Sequence, residues 1–149
     1  MLLAVAGFCA TAIMNGGATM ADDLTAQLLS PDFAVADQAL SAAIKRRDAA
    51  LIAVALGQKH LEMKVKAARA LLDLGDRATV PRLIAALEGN QVFYTGDSET
   101  KVLQKELDQA LVAALAKLTG IDFGAAAGSP ADIGRALRLS REWWEKNKN

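Results

Sequence analysis

At 149 residues, the chain is long enough for one domain with a substantial core and too short for two domains of typical size. Apolar residues make up 52% of it and aromatic residues only 5%, so alanine and leucine supply the hydrophobicity, which favours closely packed helices over sheets. The 17 basic residues balance the 17 acidic ones, which argues against nucleic-acid binding, and a single cysteine excludes an internal disulfide.

The first predicted element is the uncharged segment LLAVAGFCATAIM, residues 2–14. Its length suits the apolar region of a signal peptide and is short for a membrane span. Thr19 and Ala21 provide the small residues of a cleavage site before Asp22, so residues 1–21 are predicted to be a signal peptide and 22–149 the mature domain. This predicts a periplasmic or secreted protein. An uncleaved anchor and a buried helix stay open, because no Lys or Arg precedes the segment.

A helix pair is predicted from VKAARALLDLGDRATVPRLIAAL, residues 65–87. Apolar residues recur at helical spacing until Gly75, a residue that tolerates the left-handed conformation found at helix ends. Thr79 is then predicted to cap a second helix, with Pro81 in its first turn and Gly89 at its end. A proline in mid-helix costs about 3 kcal/mol, so we expect two antiparallel helices rather than one.

Similar patterns stand on both sides of this pair. In the preceding stretch, apolar and small residues occupy corresponding positions and Gly57 again closes the second helix. In the following stretch, a long leucine stripe ends at Gly120, and SPAD then opens a helix predicted to cap the stack with Trp143 or Trp144. Repeated helix pairs predict an α-solenoid.

These segments resemble HEAT-like repeats, in which an alanine-rich helix ends at Leu-Gly-Asp and the next opens near Val-Pro. ALAKLTGIDFG followed by REWWEKN is similar to the C-terminal module of exported bacterial HEAT-repeat proteins. The resemblance covers about residues 33–147 and implies an all-α, short HEAT-like α-solenoid of about three antiparallel helix pairs with a C-terminal capping helix. It says little about activity, since such stacks serve as scaffolds, as adaptors and in a few enzymes.

The patterns that carry chemistry are weak. His60 is the sole histidine, which excludes imidazole clusters, and the DFG triplet at 122–124 lacks every other kinase motif. The pairs Asp73/Asp76 and Glu142/Glu145 are better explained by a turn and by a polar helix face. We therefore predict no catalytic residue, no metal and no cofactor.

The connection GNQVFYTGDSET, residues 89–100, is longer than a tight stack needs. It carries adjacent aromatic residues, and Gln91, Phe93, Tyr94 and Trp144 are the predicted partner-binding residues. A purely structural role, with Phe93 packed on the core, stays open.

The predicted function is non-catalytic protein–protein interaction or scaffolding in the cell envelope, through the second helices of the repeats and a 90–97 loop. The predicted partner is another protein rather than a nucleic acid or a small molecule. Membrane contact is expected only if the N-terminal segment is retained. The alternative is an enzyme on the same stack, resembling a DNA glycosylase or a chromophore lyase, and the chain could also be a fragment of a longer repeat array.

Overall fold

Helices and their connections make up all of the structure that is described. The computed structural model describes residues 20–92, 96–123 and 130–149, and no strand occurs in these ranges. The prediction of an all-α protein is therefore confirmed. The seven α-helices are α1 (Met20–Leu28), α2 (Phe33–Lys45), α3 (Ala49–Val54), α4 (Leu61–Leu74), α5 (Val80–Val92), α6 (Ser98–Thr119) and α7 (Pro130–Asn147), with 3-10 turns at Ala55–Gly57 and Arg77–Thr79.

The predicted break within residues 65–87 is confirmed. α4 ends at Gly75, whose φ of 71° places it in the left-handed region, and α5 starts one residue before Pro81. A side chain with a Cβ is strained at such a φ, so glycine is the residue that fits there. The prediction that Gly120 ends a helix is confirmed in the same way, because it also has a φ of 71° at the end of α6.

The predicted cap between α4 and α5 is wrong. Instead of Thr79, Asp76 supplies the capping carboxylate, and its Oδ1 accepts a hydrogen bond of 2.9 Å from the Ala78 N–H. The Thr79 hydroxyl donates to the Asp76 carbonyl oxygen over 2.6 Å and is buried. Because a 3-10 turn lies between the two helices, the first backbone N–H groups that need an acceptor belong to this turn. The capping residue therefore lies three positions before Thr79.

The junction of α2 and α3 is made by a non-glycine residue in the left-handed region. Arg47 has a φ of 55°, its N–H donates to the Ile44 carbonyl over 2.9 Å, and the Asp48 N–H donates to the Ala43 carbonyl over 3.1 Å. This is a Schellman arrangement. The Asp48 carboxylate also accepts from the Leu51 N–H over 3.1 Å, so one residue closes α2 and starts α3.

The prediction that Gly89 ends the second helix is wrong, because α5 continues to Val92. A glycine inside a helix costs only about 1 kcal/mol relative to alanine. The side chains of Asn90 and Gln91 bind α6 in the next turn, and these contacts favour continuing the helix past the glycine.

α6 lies at the centre of the packing, in contact with α4, α5 and α7. Its closest neighbour is α4, and both helices bury alanines, Ala67 and Ala68 on α4 and Ala110 and Ala114 on α6. Small side chains allow helices to approach closely. The largest side chains that α6 buries are leucines, Leu107, Leu111, Leu115 and Leu118.

α7 packs against α5 and α6. Ile133 and Ala136 are buried, while Trp143 and Trp144 are both half-buried against the core. The guanidinium carbon of Arg77 lies 5.8 Å from the centre of the Trp143 ring, within the range of a cation–π interaction.

α1 was not predicted. It buries Leu24 and Leu28 and packs on α2 and α3, and the Gln58 amide donates to the carbonyl oxygens of Leu28 and, over 2.9 Å, Ser30. The predicted signal peptide, residues 1–21, lies almost entirely outside the described residues and stays a prediction. Among the helices that are described, none is long and apolar enough to cross a bilayer.

Candidate functional site

The four predicted partner-binding residues do not form one described site. Phe93 and Tyr94 lie outside the described residues. Gln91 belongs to the last turn of α5, so the predicted 90–97 loop is wrong at its start. Trp144 is half-buried on α7, and no hydrogen bond or ring contact links it to Gln91 within the described ranges.

A buried polar cluster, defined here as Asn90, Gln91, Gln104 and Asp108, fixes the end of α5 to α6. The Asn90 amide nitrogen donates to the Gln104 carbonyl over 2.9 Å and to Asp108 Oδ1 over 2.8 Å. The Gln91 amide donates to the same carboxylate oxygen over 2.9 Å. Asp108 is only 1% exposed, and a buried carboxylate must be hydrogen-bonded to be tolerated.

The polar cluster holds the helix end immediately before residues 93–95. The side-chain amides of Asn90 and Gln91 both donate to the same oxygen of Asp108, which suits an anchor for the connection to α6. The burial of Asp108 was not predicted from the sequence. Asp108 directly follows Leu107, and the residue after one on the apolar face of an amphipathic helix usually faces solvent. α6 is packed by three helices, so its buried face is wider than one stripe.

His60 and Phe123, two residues considered above for catalytic motifs, both make packing contacts. The His60 ring packs edge-on against Phe33, with 5.4 Å between ring centres, and its Nε2 lies 3.3 Å from the Pro31 carbonyl oxygen. Phe123 of the DFG triplet is 4% exposed and belongs to the hydrophobic core. Within the described ranges, no group of three or more His, Cys, Asp or Glu side chains could hold a metal ion.

Two adjoining clefts lie beside α3. The first lies between α3 with its 3-10 turn and α5, and the second lies between α3, α1 and the 3-10 turn that precedes α5. The first has a volume of about 250 Å³ and the second about 300 Å³, and they share Ala53 and Arg82 in their linings. We call the two together the second-helix groove, because α3 and α5 are the second helices of the first two predicted pairs. The first cleft also contains Lys64, and the second also contains Asp76.

The groove exists because its walls consist mainly of small residues. On the α5 wall, Arg82, Ala86 and Gly89 are spaced so that they share one helix face. On the opposite wall, Ala53 and Gly57 are likewise one turn apart. Alanine and glycine leave space between the backbones that larger side chains would fill.

Charge is distributed unevenly along the second-helix groove. Arg82 is exposed and Lys64 is half-buried, and neither forms an ion pair with any described residue. Burial lowers the pKa of the Lys64 amine, because removing water disfavours its charged form. Asp76 lies at the other end, where its carboxylate already caps Ala78. The first cleft is therefore positive and the second nearly balanced.

The two cations beside small side chains in the first cleft are groups that can pair with carboxylates. Comparison of the chain with protein-family models, with curated protein sequences and with solved structures found no match in any of the three.

Proposed function

We propose that the protein is a non-catalytic protein–protein interaction or scaffolding module of the cell envelope, built as a short HEAT-like α-solenoid. The observation that carries this proposal is the second-helix groove, which occupies the surface where the sequence predicts binding. Its walls come from two successive predicted pairs, and this is where stacked pairs present a continuous surface to a partner.

The helix contacts support the stacked arrangement. α4 packs on α6, and α5 packs on α7, so helices two apart in sequence lie side by side. In stacked antiparallel pairs the first helices form one layer and the second helices another, which produces this alternation. In the proposed stack, α1 precedes three helix pairs, which are α2/α3, α4/α5 and α6/α7.

Affinity isolation with the full chain as bait, from an extract of the native host, tests this function. We expect defined protein partners that are retained after nuclease treatment. The double variant Phe93→Ser/Tyr94→Ser should lose them with an unchanged circular dichroism spectrum, because aromatic side chains commonly provide the anchors of an interface.

A matched control is Val102→Ser, which removes an exposed apolar side chain from α6, and it should retain the partners. Val102 is 58% exposed. If partners also survive the double variant, the 93–95 segment is structural. If the wild-type chain recovers no partner, the proposed function is wrong.

N-terminal sequencing of the protein purified from its native host tests the location. We expect a mature chain that begins at Asp22, because the small residues Thr19 and Ala21 precede it. A chain that retains residues 1–21 in a soluble cytosolic fraction would exclude an envelope role.

A further inference from the structure

The second-helix groove specifies the chemistry of its occupant. Resting on the proposed interaction function, we propose that an acidic helical segment of a partner protein docks in this groove. The carboxylates of the segment would pair with Lys64 and Arg82.

The dimensions of the groove fit a helix. Along α5 the lining runs from Arg82 to Gly89, which is about 10 Å at 1.5 Å per residue. This length matches about two turns of a bound helix, the span from residue i to residue i+7 over which helix-in-groove anchors are placed. Because the walls carry Ala53, Gly57 and Ala86, a helix with small or medium apolar residues on its inner face can approach closely.

The positive charge of the groove favours an occupant with negative charge. Lys64 and Arg82 line the first cleft, and no described residue neutralises either of them. The Lys64 amine has lost part of its hydration through burial, so a partner carboxylate would restore a favourable environment for its charge. Arg82 adds a planar donor group that suits a bidentate carboxylate.

The charge distribution also sets the direction of docking. Lys64 lines only the first cleft and Asp76 lines only the second, whereas Arg82 lines both. A carboxylate near Asp76 would be repelled, whereas one near Lys64 would be attracted. The acidic residues of the partner therefore belong at the Lys64 end, and its apolar or basic residues at the Asp76 end.

A synthetic peptide provides a defined probe. We would use a fluorescein-labelled, 15-residue helical peptide of alanine and leucine with glutamates confined to one end, and a matched peptide with glutamine at those positions. Fluorescence anisotropy with the full chain should detect binding of the glutamate peptide and a loss of about tenfold or more for the glutamine peptide.

Protein variants locate the binding site. The double variant Lys64→Gln/Arg82→Gln should weaken binding of the glutamate peptide by about tenfold or more. Lys105→Gln is the matched control, because Lys105 is an exposed cation of α6 that lines neither cleft and has no ion pair with a described residue. It should change the affinity by less than about twofold. Circular dichroism and thermal unfolding confirm that each variant is folded.

Several results would overturn the inference. These are no binding of the glutamate peptide, equal binding of both peptides, or equal affinity of the wild type and the groove variant. A 15-nucleotide single-stranded DNA that binds as tightly as the peptide would show a general anion site instead. Competition by free glutamate at the peptide's own concentration would show a small-carboxylate site.

The two proposals fail separately. If native partners are recovered and the groove variant retains them all, the interaction function stands and the groove assignment is wrong. If the peptide binds as expected but the wild-type chain recovers no native partner, the groove chemistry stands and the proposed function is wrong.

Discussion

Replacing Asn90 with alanine tests whether the buried polar cluster stabilises the fold. The change removes a hydrogen bond to the Gln104 carbonyl and one to the Asp108 carboxylate from a side chain that is 6% exposed. Each of these hydrogen bonds contributes about 0.5–1.5 kcal/mol, so the two together contribute about 1–3 kcal/mol. Alanine returns roughly 0.5 kcal/mol through its higher helix propensity. We therefore expect the free energy of unfolding to fall by about 0.5–2.5 kcal/mol.

The assay is urea unfolding of the full chain at pH 7, followed by circular dichroism at 222 nm, with Gln91→Ala as the matched control. Gln91 donates a single hydrogen bond to the same oxygen and is less buried, so its loss should cost about 1 kcal/mol or less. The corresponding fall in Tm for Asn90→Ala is roughly 2–10 °C. A double-mutant cycle with Asp108→Ala should give a coupling energy above about 1 kcal/mol. If Asn90→Ala is no more destabilising than Gln91→Ala, the cluster does not hold α5 to α6 as argued.

Three further predictions concern helix ends. Arg47→Gly should stabilise the protein by about 0.5–1 kcal/mol in urea unfolding, since glycine has no Cβ to oppose the φ of 55°; destabilisation would contradict this. Gly75→Ala should destabilise the protein by about 1 kcal/mol, because Gly75 has a φ of 71°. Gly57→Ala should be neutral or stabilising, because Gly57 has an ordinary φ and no atom lies within 4 Å of the added Cβ. Equal effects of the two changes would show that the left-handed φ of Gly75 is not the cause. The pKa of Asp97 is lowered from its usual 3.8, chiefly by the backbone hydrogen bond from Thr100. The extra stability of the wild type over Asp97→Asn should therefore be complete above pH 3.8 and should disappear as the pH falls through the lower pKa of the folded state. A constant difference between the two proteins in urea titrations from pH 7 to pH 2 would refute this.

The parts of the fold that depend on local conformational preference could be predicted from the sequence. Gly75 and Gly120 stand where a left-handed residue ends a helix, and both have a φ of 71°. Pro81 lies in the first turn of α5, as its missing N–H requires. The local conformational preference of each of these residues is enough to predict where it lies relative to a helix end.

The errors arose where tertiary contacts outweighed local preference. Gly89 was expected to end α5, but the next turn is retained because Asn90 and Gln91 bind α6. At the junction of α2 and α3 no glycine marks the turn, and Arg47 adopts the left-handed conformation instead. The packing energy that offsets a glycine within a helix, or a non-glycine residue at a positive φ, cannot be read from the residue pattern alone.

The candidate site was predictable only in outline. The surface of the second helices was expected to bind a partner, and a groove does lie there. Its two cations could not be identified from the sequence, because Lys64 belongs to α4 and Arg82 to α5, and only the folded structure brings them to one cleft. Asp108 was hidden for a similar reason, since its burial depends on helices distant in sequence.

The attachment of α1 has a consequence for measuring the integrity of the whole protein. An isolated helix of nine residues is too short to persist in water, so α1 has order only while Leu24, Leu28 and the Gln58 amide hold it to the neighbouring helices. Its amide protons should therefore exchange with solvent deuterium whenever that attachment opens, even if the remaining helices stay protected. α1 thus acts as an early reporter of loosening in the adjacent helices α2 and α3.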